Sequence, residues 1–200
     1  MIIPPMKDNA TGIDAVVIGK QTWVKKNLNV SFFRTGEPIP QATSEQEWKA
    51  AATQGLPAWC HYENNPANGE KYGKLYNWFA VNDPRGLAPE GWRIPTANDW
   101  QQLIDFTGGE EAACFALMAA DQFTVPPPGG RNSGFQGLAG GGRNKYGSFG
   151  NLGDFAYWWS CSQHNETKAI SLQLDSESNT AQLKPSDMGT GFGVRCIWVG

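Results

Sequence analysis

Glycine and proline interrupt this sequence so often that only short helices and strands fit between them. The chain carries 24 glycines and 13 prolines among 200 residues, and both residue types favour tight turns and the ends of regular elements. Nine tryptophans supply large flat side chains on which long loops can pack. No internal repeat is evident. The pattern indicates a loop-rich α+β or mainly β domain and argues against a helical bundle or a repeat array.

The length fits one domain better than two, because no linker-like segment divides the chain and domains usually hold about 100 to 200 residues. We assign residues 1–14 to an N-terminal leader or arm and residues 15–200 to the domain. Charged residues make up 18% of the chain and hydrophobic residues 40%. Because typical globular proteins contain about 25% charged residues, this composition indicates a folded chain.

The N-terminal half is expected to contain a hairpin and short helices. Apolar β-branched residues on either side of Gly19 and Lys20 predict a hairpin over residues 16–24. Ser44 followed by Glu47 forms a capping box, which predicts a helix over residues 43–54.

Three more helices are predicted farther along. Helical spacing of Leu75, Trp78 and Phe79 predicts a helix of about two turns. Thr96 caps the next helix, and its buried stripe is predicted to be Trp100, Leu103, Ile104 and Thr107. An alanine-rich helix is expected over residues 110–121, before the proline-rich residues 126–130, which exclude regular structure.

Beyond residue 134 the pattern changes to short strands, which predicts a twisted antiparallel sheet with long loops. Residues 156–160, 169–174, 180–183 and 191–199 have strand composition. The polar segments 162–168, 175–179 and 184–190 are typical of exposed hairpin tips. We interpret the run Gly140-Gly141-Gly142-Arg143 as a loop, because no helix follows it to form a phosphate site.

The aromatic residues are expected to divide between core and surface. The predicted core framework is Trp23, Trp78, Trp92, Trp100 and Trp158. Trp59 and Trp198 are the tryptophans that we expect to be exposed.

Charge argues against two classes of partner. The net charge is -3, and no basic run is longer than Lys25-Lys26, so neither nucleic acid nor an anionic membrane is an expected partner. The first residues have no basic segment followed by an apolar stretch of signal-peptide length, and no segment approaches a membrane span. We therefore expect no direct membrane insertion and leave the localisation open.

Cysteines and histidines give no metal pattern. The four cysteines lack CxxC spacing and are too few for a disulfide scaffold; they are Cys60, Cys114, Cys161 and Cys196. Buried free thiols are the simplest interpretation, although three pairings stay open. His61 and His164 do not have zinc-ligand spacing. No cofactor is predicted, but calcium is left open because loop carboxylates and carbonyls suffice to bind it.

Six ordered blocks carry a family resemblance, and together they span residues 18–196. The most distinctive are Tyr72-Gly73-Lys74-Leu75-Tyr76-Asn77-Trp78-Phe79-Ala80-Val81 and Pro89-Glu90-Gly91-Trp92-Arg93-Ile94-Pro95-Thr96; the others are residues 18–23 with 27–28, 134–141, 157–160 and 191–196. These blocks resemble the Fibrobacter succinogenes major paralogous domain. That domain is similar to the formylglycine-generating-enzyme branch of the C-type-lectin-like fold, so the resemblance implies this fold for residues 15–200.

The resemblance also extends to variable proteins of diversity-generating retroelements, which implies phage-tail or cell-surface binding through loops near the C-terminus. The corresponding stretch here is residues 143–192. We expect a protein or glycan ligand on a cell or phage surface to contact Arg143, Asn144, Tyr146, Asn151, Asp154, Tyr157, Gln163, Asn165, Ser176, Ser178 and Asn179. The competing interpretation is that the Asn, Asp and Ser residues only form turns.

An enzyme is the second hypothesis, because the formylglycine-generating branch uses two nearby cysteines activated through copper. Here only Cys161 lies in the comparable region, and Glu166 stands where its partner would lie. The resemblance therefore implies the scaffold without the activity. His164 could serve as a base for a solitary Cys161 nucleophile, but we expect no enzyme. A structural surface or appendage subunit is the third hypothesis.

The sequence departs from the family at Ala88, where relatives commonly have a cysteine before the Pro-Glu-Gly-Trp segment. Cys196 thus lacks the partner that the resemblance implies. Either reduced thiols or another pairing, such as Cys60 with Cys161, would follow.

Overall fold

Residues 12–122 and 132–200 are described by the structure, which is a computed structural model. Most of the predicted N-terminal arm, and the predicted irregular segment 126–130, lie outside these residues. The α-helices in the described ranges are α1 (Glu45–Gln54), α2 (Pro66–Tyr72), α3 (Trp78–Val81), α4 (Ala97–Thr107) and α5 (Glu110–Leu117), and short 3-10 helices cover Tyr62–Asn64 and Ala120–Gln122.

The strands are short except near the C-terminus. They are β1 (Ala15–Ile18), β2 (Gln21–Val24), β3 (Trp59–Cys60), β4 (Leu75–Tyr76), β5 (Trp92–Arg93), β6 (Gly140–Arg143), β7 (Phe149–Leu152), β8 (Phe155–Gln163), β9 (Lys168–Asp175), β10 (Thr180–Asp187) and β11 (Ile197–Trp198). Together with the helices they form a small α+β domain.

All strand pairings within the sheets are antiparallel. One sheet has the strand order β1-β2-β11-β5, a second has the order β10-β9-β8, and β3–β4 and β6–β7 form two-stranded sheets. Because Ile197 in β11 pairs with both Trp23 and Arg93, strands from both ends of the described chain meet in the first sheet.

Local signals explain the elements that the sequence predicted correctly. Gly19 has a φ of 63°, the left-handed value that the two-residue turn between β1 and β2 requires. In α1 the Ser44 side chain accepts from the N–H of Glu47, and the Glu47 side chain accepts from the N–H of Ser44. Thr96 and Asp99 form the equivalent capping box of α4, which buries the predicted stripe from Trp100 to Thr107. The antiparallel pairing of β1 with β2 confirms the predicted hairpin, and the two capping boxes confirm both helix starts.

The predicted two-turn helix around Leu75 was wrong in its first half. Leu75 lies in β4, and the helix begins only at Trp78. The backbone of Tyr76 pairs with Phe192, and the Asn77 side chain caps the helix by accepting from the N–H of Ala80. Tertiary pairing thus overrides the helical spacing of the apolar residues.

Other differences concern strands. Residues 140–143 form β6, not a loop. Residues 184–187, expected in a connector, continue β10, whereas the expected strand 191–199 is reduced to β11 and isolated bridges. Helix α2 had no counterpart in the prediction; Asn65 caps it and Pro66 occupies its first turn. The extension of β10 and the loss of the strand 191–199 depend on pairing with other strands, whereas α2 has a local cap and a first-turn proline that went unused in the prediction.

The core consists of three clusters of buried side chains. The five framework tryptophans are all at most 5% exposed. The expectation that Trp59 is exposed was wrong: its ring is 6% exposed, its indole donates to the Ile39 carbonyl, and the Lys74 ammonium lies 3.8 Å from the ring centroid. Trp198 is partly exposed and packs edge-on against Trp92.

Candidate functional site

Arg143 supports the hairpin β6–β7 from inside. The residue is 1% exposed, and its guanidinium donates to the main-chain carbonyls of Gly147, Ala42 and Ser44 at 2.8–3.1 Å. The guanidinium carbon also lies 4.9 Å from the ring centroid of Trp48 and 4.6 Å from that of Phe149. The side chain therefore has a structural role: its hydrogen bonds and ring contacts hold the hairpin against the start of α1.

A shallow groove with a volume of about 370 Å³ lies beside this hairpin. It is formed by the hairpin, by β8 and β9, and by the segment that follows β10. We call it the polar groove; its lining residues are Gly142, Arg143, Asn144, Ser148, Phe149, Gly150, Asn151, Tyr157, Gln173, Thr190 and Phe192. Of the predicted site residues, the structure therefore brings Arg143, Asn144, Asn151 and Tyr157 to one surface.

Stacked aromatic rings hold one wall of the polar groove. Tyr157 lies between Phe155 and Phe192, with ring centroids 5.5 and 4.5 Å away and nearly parallel planes. The Tyr157 hydroxyl accepts a hydrogen bond of 2.8 Å from Asn151, whose φ of 64° places it in the left-handed region that Asn tolerates. Burial raises the pKa of Tyr157, so the phenol keeps a proton that it can donate.

Several polar groups of the groove have no partner elsewhere in the described residues. The hydroxyls of Ser148 and Thr190, the Asn151 carbonyl oxygen and the Asn144 amino group make no side-chain hydrogen bond within ranges 12–122 and 132–200. Gln173 makes only long contacts, 3.4–3.5 Å, with the hydroxyls of Ser186 and Ser171. The groove therefore has free donors and acceptors to offer.

A second group of predicted residues lies at the turns β7–β8 and β9–β10. The Ser176 hydroxyl donates to the Asp154 carbonyl at 2.9 Å, which joins the two turns. Ser178 donates to the Asp175 carboxylate at 2.5 Å, and Asn179 has a φ of 54°. The side-chain hydrogen bonds of Ser176 and Ser178 stabilise turns, as the competing interpretation of the sequence proposed.

Of the remaining predicted residues, Gln163 and Asn165 lie at the C-terminal end of β8. Asn165 accepts from the N–H groups of Thr167 and Lys168, and Gln163 donates to the Asn165 carbonyl, so both belong to the β8–β9 turn. Tyr146 is 62% exposed and borders a separate cleft of about 630 Å³ between the end of α1 and this turn. The sequence-predicted residues are thus distributed over three surfaces.

Geometry around Cys161 bears on the enzyme hypothesis. Its Sγ lies 3.7 Å from the Ile94 carbonyl oxygen, and burial raises the pKa of the thiol. His164, the proposed base, lies in the turn beyond β8, where its backbone N–H donates to the Lys168 carbonyl. All four cysteines are free thiols. Within the described residues, no cluster of three or more His, Cys, Asp or Glu side chains could hold a metal ion.

Sequence reasoning missed Ser148, Gln173, Thr190 and Phe192 of the polar groove. Gln173 lies among the apolar residues of the alternating β9 pattern, which indicated that a polar side chain there faces away from the core. Phe192 was hidden because its backbone bridges to Tyr76, more than a hundred positions away in the sequence. Only the alternation could have pointed to Gln173.

A family model described as the Fibrobacter succinogenes major domain matches residues 16–198. No curated protein and no solved structure matches the chain. In the described ranges, no helix combines the length and apolarity needed to cross a membrane.

Proposed function

As the chain belongs to the Fibrobacter succinogenes major domain family, we propose that it is a binding module of the C-type-lectin-like fold and not an enzyme. Its ligand lies in the polar groove. The observation that carries this proposal is the set of unpartnered hydroxyl and amide groups on a hairpin that Arg143 holds rigidly. Groups that are fixed before binding lose little conformational entropy when a ligand arrives.

The C-type-lectin-like fold is supported by the motif that carried the resemblance. The run Arg93-Ile94-Pro95-Thr96 opens α4, and Trp100 of that helix is buried against Trp23 with ring centroids 4.4 Å apart. Arg93 pairs with Asp99, the third residue of α4, at 2.6 Å. The motif therefore joins the first sheet to its packed helix.

A groove-blocking substitution tests the proposal. A Cβ at Gly150 would meet no atom within 4 Å, and its φ is not positive, so Gly150→Leu should fill the groove without straining the backbone. We expect this variant to bind intact bacterial cells from a species panel at least about tenfold more weakly by biolayer interferometry, with an unchanged melting temperature. Gln101→Leu, which adds the same side chain at an exposed position of α4, is the matched control. Equal binding by both variants would refute the groove as the site.

The partner is a protein or glycan on a cell or phage surface, and the chain is a retroelement variable protein. Sequencing the encoding locus tests the second part. A neighbouring reverse transcriptase gene and a template repeat that differs at adenines are expected. If both are missing, the diversification proposal fails and a binding module of fixed sequence remains.

Absence of enzymatic activity is supported by the surroundings of Cys161. The raised pKa of its thiol disfavours the thiolate nucleophile, and Glu166 replaces the second cysteine. Copper-loaded protein should therefore not oxidise a cysteine-containing peptide. Turnover that disappears in Cys161→Ser would contradict this part of the proposal.

A further inference from the structure

The polar groove presents hydrogen-bonding groups without an available charge. Arg143 is the one basic residue of its lining, and the Arg143 guanidinium donates to three carbonyls on the inner side of the hairpin. No Asp or Glu lines the groove. The neighbouring cation Lys145 pairs with Asp187 at 3.1 Å and borders the separate cleft. A charged ligand would therefore lose its hydration without gaining a counter-charge.

The available groups match hydroxyl-bearing molecules. Each side-chain amide of Asn144, Asn151 and Gln173 combines donor and acceptor atoms, while Ser148 and Thr190 add hydroxyls that do both. The hydroxyl groups of a sugar also donate and accept. Asn144 is held in place by the N–H groups of Tyr146 and Ser148 at 2.9 and 3.1 Å, which leaves its amino group free to donate.

The groove lacks the apolar anchor site that a protein partner usually needs. Binding hot spots bury large aromatic or aliphatic side chains in pockets. Here Phe192 is 6% exposed, Phe149 packs against the Tyr62 ring with centroids 5.2 Å apart, and Tyr157 stacks on the rings of Phe155 and Phe192. The large exposed hydrophobic side chains lie outside the groove; they are Val17, Phe32, Leu56, Phe106, Tyr146, Leu152 and Val199.

We infer that the ligand of the polar groove is a short neutral saccharide, recognised without a metal ion. This inference rests on the proposed function, since it names the chemical class bound at the same surface. The volume of about 370 Å³ falls within the range of about 300–1,000 Å³ typical of small-ligand sites. Gln173 and Tyr157 are the residues that we expect to contact sugar hydroxyls from the β8–β9 side.

An array of immobilised oligosaccharides tests the inference. It should carry neutral chains of hexoses and N-acetylhexosamines beside sulfated and sialylated versions of the same chains. We expect neutral chains to bind, their anionic versions to bind no better, and a calcium chelator to change nothing. Gln173→Ala should weaken binding on the order of tenfold, which is the cost of about one hydrogen bond. Gly150→Leu should abolish binding, and Gln101→Leu should leave it unchanged.

Three results would overturn the inference: no array member binds, anionic chains are preferred, or binding survives Gly150→Leu. Treatment of whole cells separates this failure from failure of the proposed function. If Gly150-dependent cell binding survives periodate but is lost after protease digestion, the groove binds a protein and only the saccharide inference fails. If neither cells nor array show Gly150-dependent binding, both proposals fail. Binding that periodate removes supports both.

Discussion

At the scale of single residues, three buried cations lack a carboxylate partner within the described ranges. Arg143, Arg195 and Lys74 are each at most 5% exposed and take no part in the ion pairs found there. Arg195 donates to the Phe135 carbonyl and to the Asn27 side chain, and it lies 4.1 Å from the Phe135 ring centroid. Burial lowers the pKa of Arg195 to about 9. Carbonyl oxygens and aromatic rings thus replace counter-ions in this core.

The Arg93–Asp99 pair leads to a prediction about acid stability. Burial raises the pKa of Asp99, but hydrogen bonds from Arg93 and Thr96 outweigh it and lower the pKa to about 2. A carboxyl whose pKa is lower in the folded state stabilises the protein above its unfolded pKa of about 4. We expect about 2 kcal/mol of the free energy of unfolding to be lost as the pH falls from about 4 to about 2.

Urea unfolding at several pH values measures this loss. The difference in unfolding free energy between the wild type and Asp99→Asn should narrow by about 2 kcal/mol over that pH interval. Asp105→Asn, at an exposed position of the same helix, is the control and should show no comparable narrowing. If the unfolding free energy of the wild type exceeds that of Asp99→Asn by the same amount down to pH 2, the lowered pKa of Asp99 is contradicted.

Residue types within the stretch 143–192, which the family resemblance implied, predicted part of the candidate site. Asn144, Asn151 and Tyr157 were selected for their chemistry, and they line the polar groove. The same reasoning selected Ser176 and Ser178, which form turns, because Asn and Ser carry out both tasks with the same atoms. Thr190 could not be assigned, since its position depends on how the segment after β10 returns to the hairpin.

At the scale of elements, most structures with a local signal were predictable and those with remote partners were not; α2 is the exception, since it was missed although Asn65 caps it. The capping boxes of α1 and α4 lie within four consecutive residues, so the sequence contains them. Strands β3, β4 and β5 have two residues each and exist only because a distant strand pairs with them. Asn77 is the N-cap of α3, and a prediction about this helix follows from its contacts.

Asn77 is fully buried and joins the segment before β3 to the start of α3. Its side chain accepts from the N–H groups of Ala58 and Ala80 and donates to the Leu56 carbonyl, at 2.8–3.1 Å. Because Asn77→Ala leaves the buried N–H of Ala58 without this acceptor and also removes the cap of α3, we expect it to lower the free energy of unfolding by about 3 kcal/mol. Asn65→Ala removes the same type of cap from exposed α2 and should cost only about 1 kcal/mol. If chemical denaturation shows the same loss of unfolding free energy for Asn77→Ala and Asn65→Ala, Asn77 acts only as a helix cap.

At the scale of the whole molecule, three core clusters are joined by shared elements. Strand β8 contributes Trp158 to one cluster and the adjacent Trp159 to another. Strand β4 likewise contributes Leu75 and Tyr76 to different clusters. The Trp100 indole donates to the Trp159 carbonyl at 3.4 Å across the same boundary. A cluster cannot open without disturbing a strand that its neighbour needs, so the three should unfold together.

The cysteines allow this cooperativity to be measured, because each cluster contains one buried thiol: Cys196, Cys114 and Cys60. Burial raises their pKa to about 12, about 12 and about 11, so the native thiols should resist alkylation. In Cys161→Ser, which removes the partly exposed thiol, we expect all three to become reactive over the urea range in which tryptophan fluorescence reports unfolding. Mass spectrometry of labelled peptides identifies each site. If one thiol reacts at a lower urea concentration than the fluorescence transition, its cluster opens separately. The shared strands would then not make the three clusters one cooperative unit.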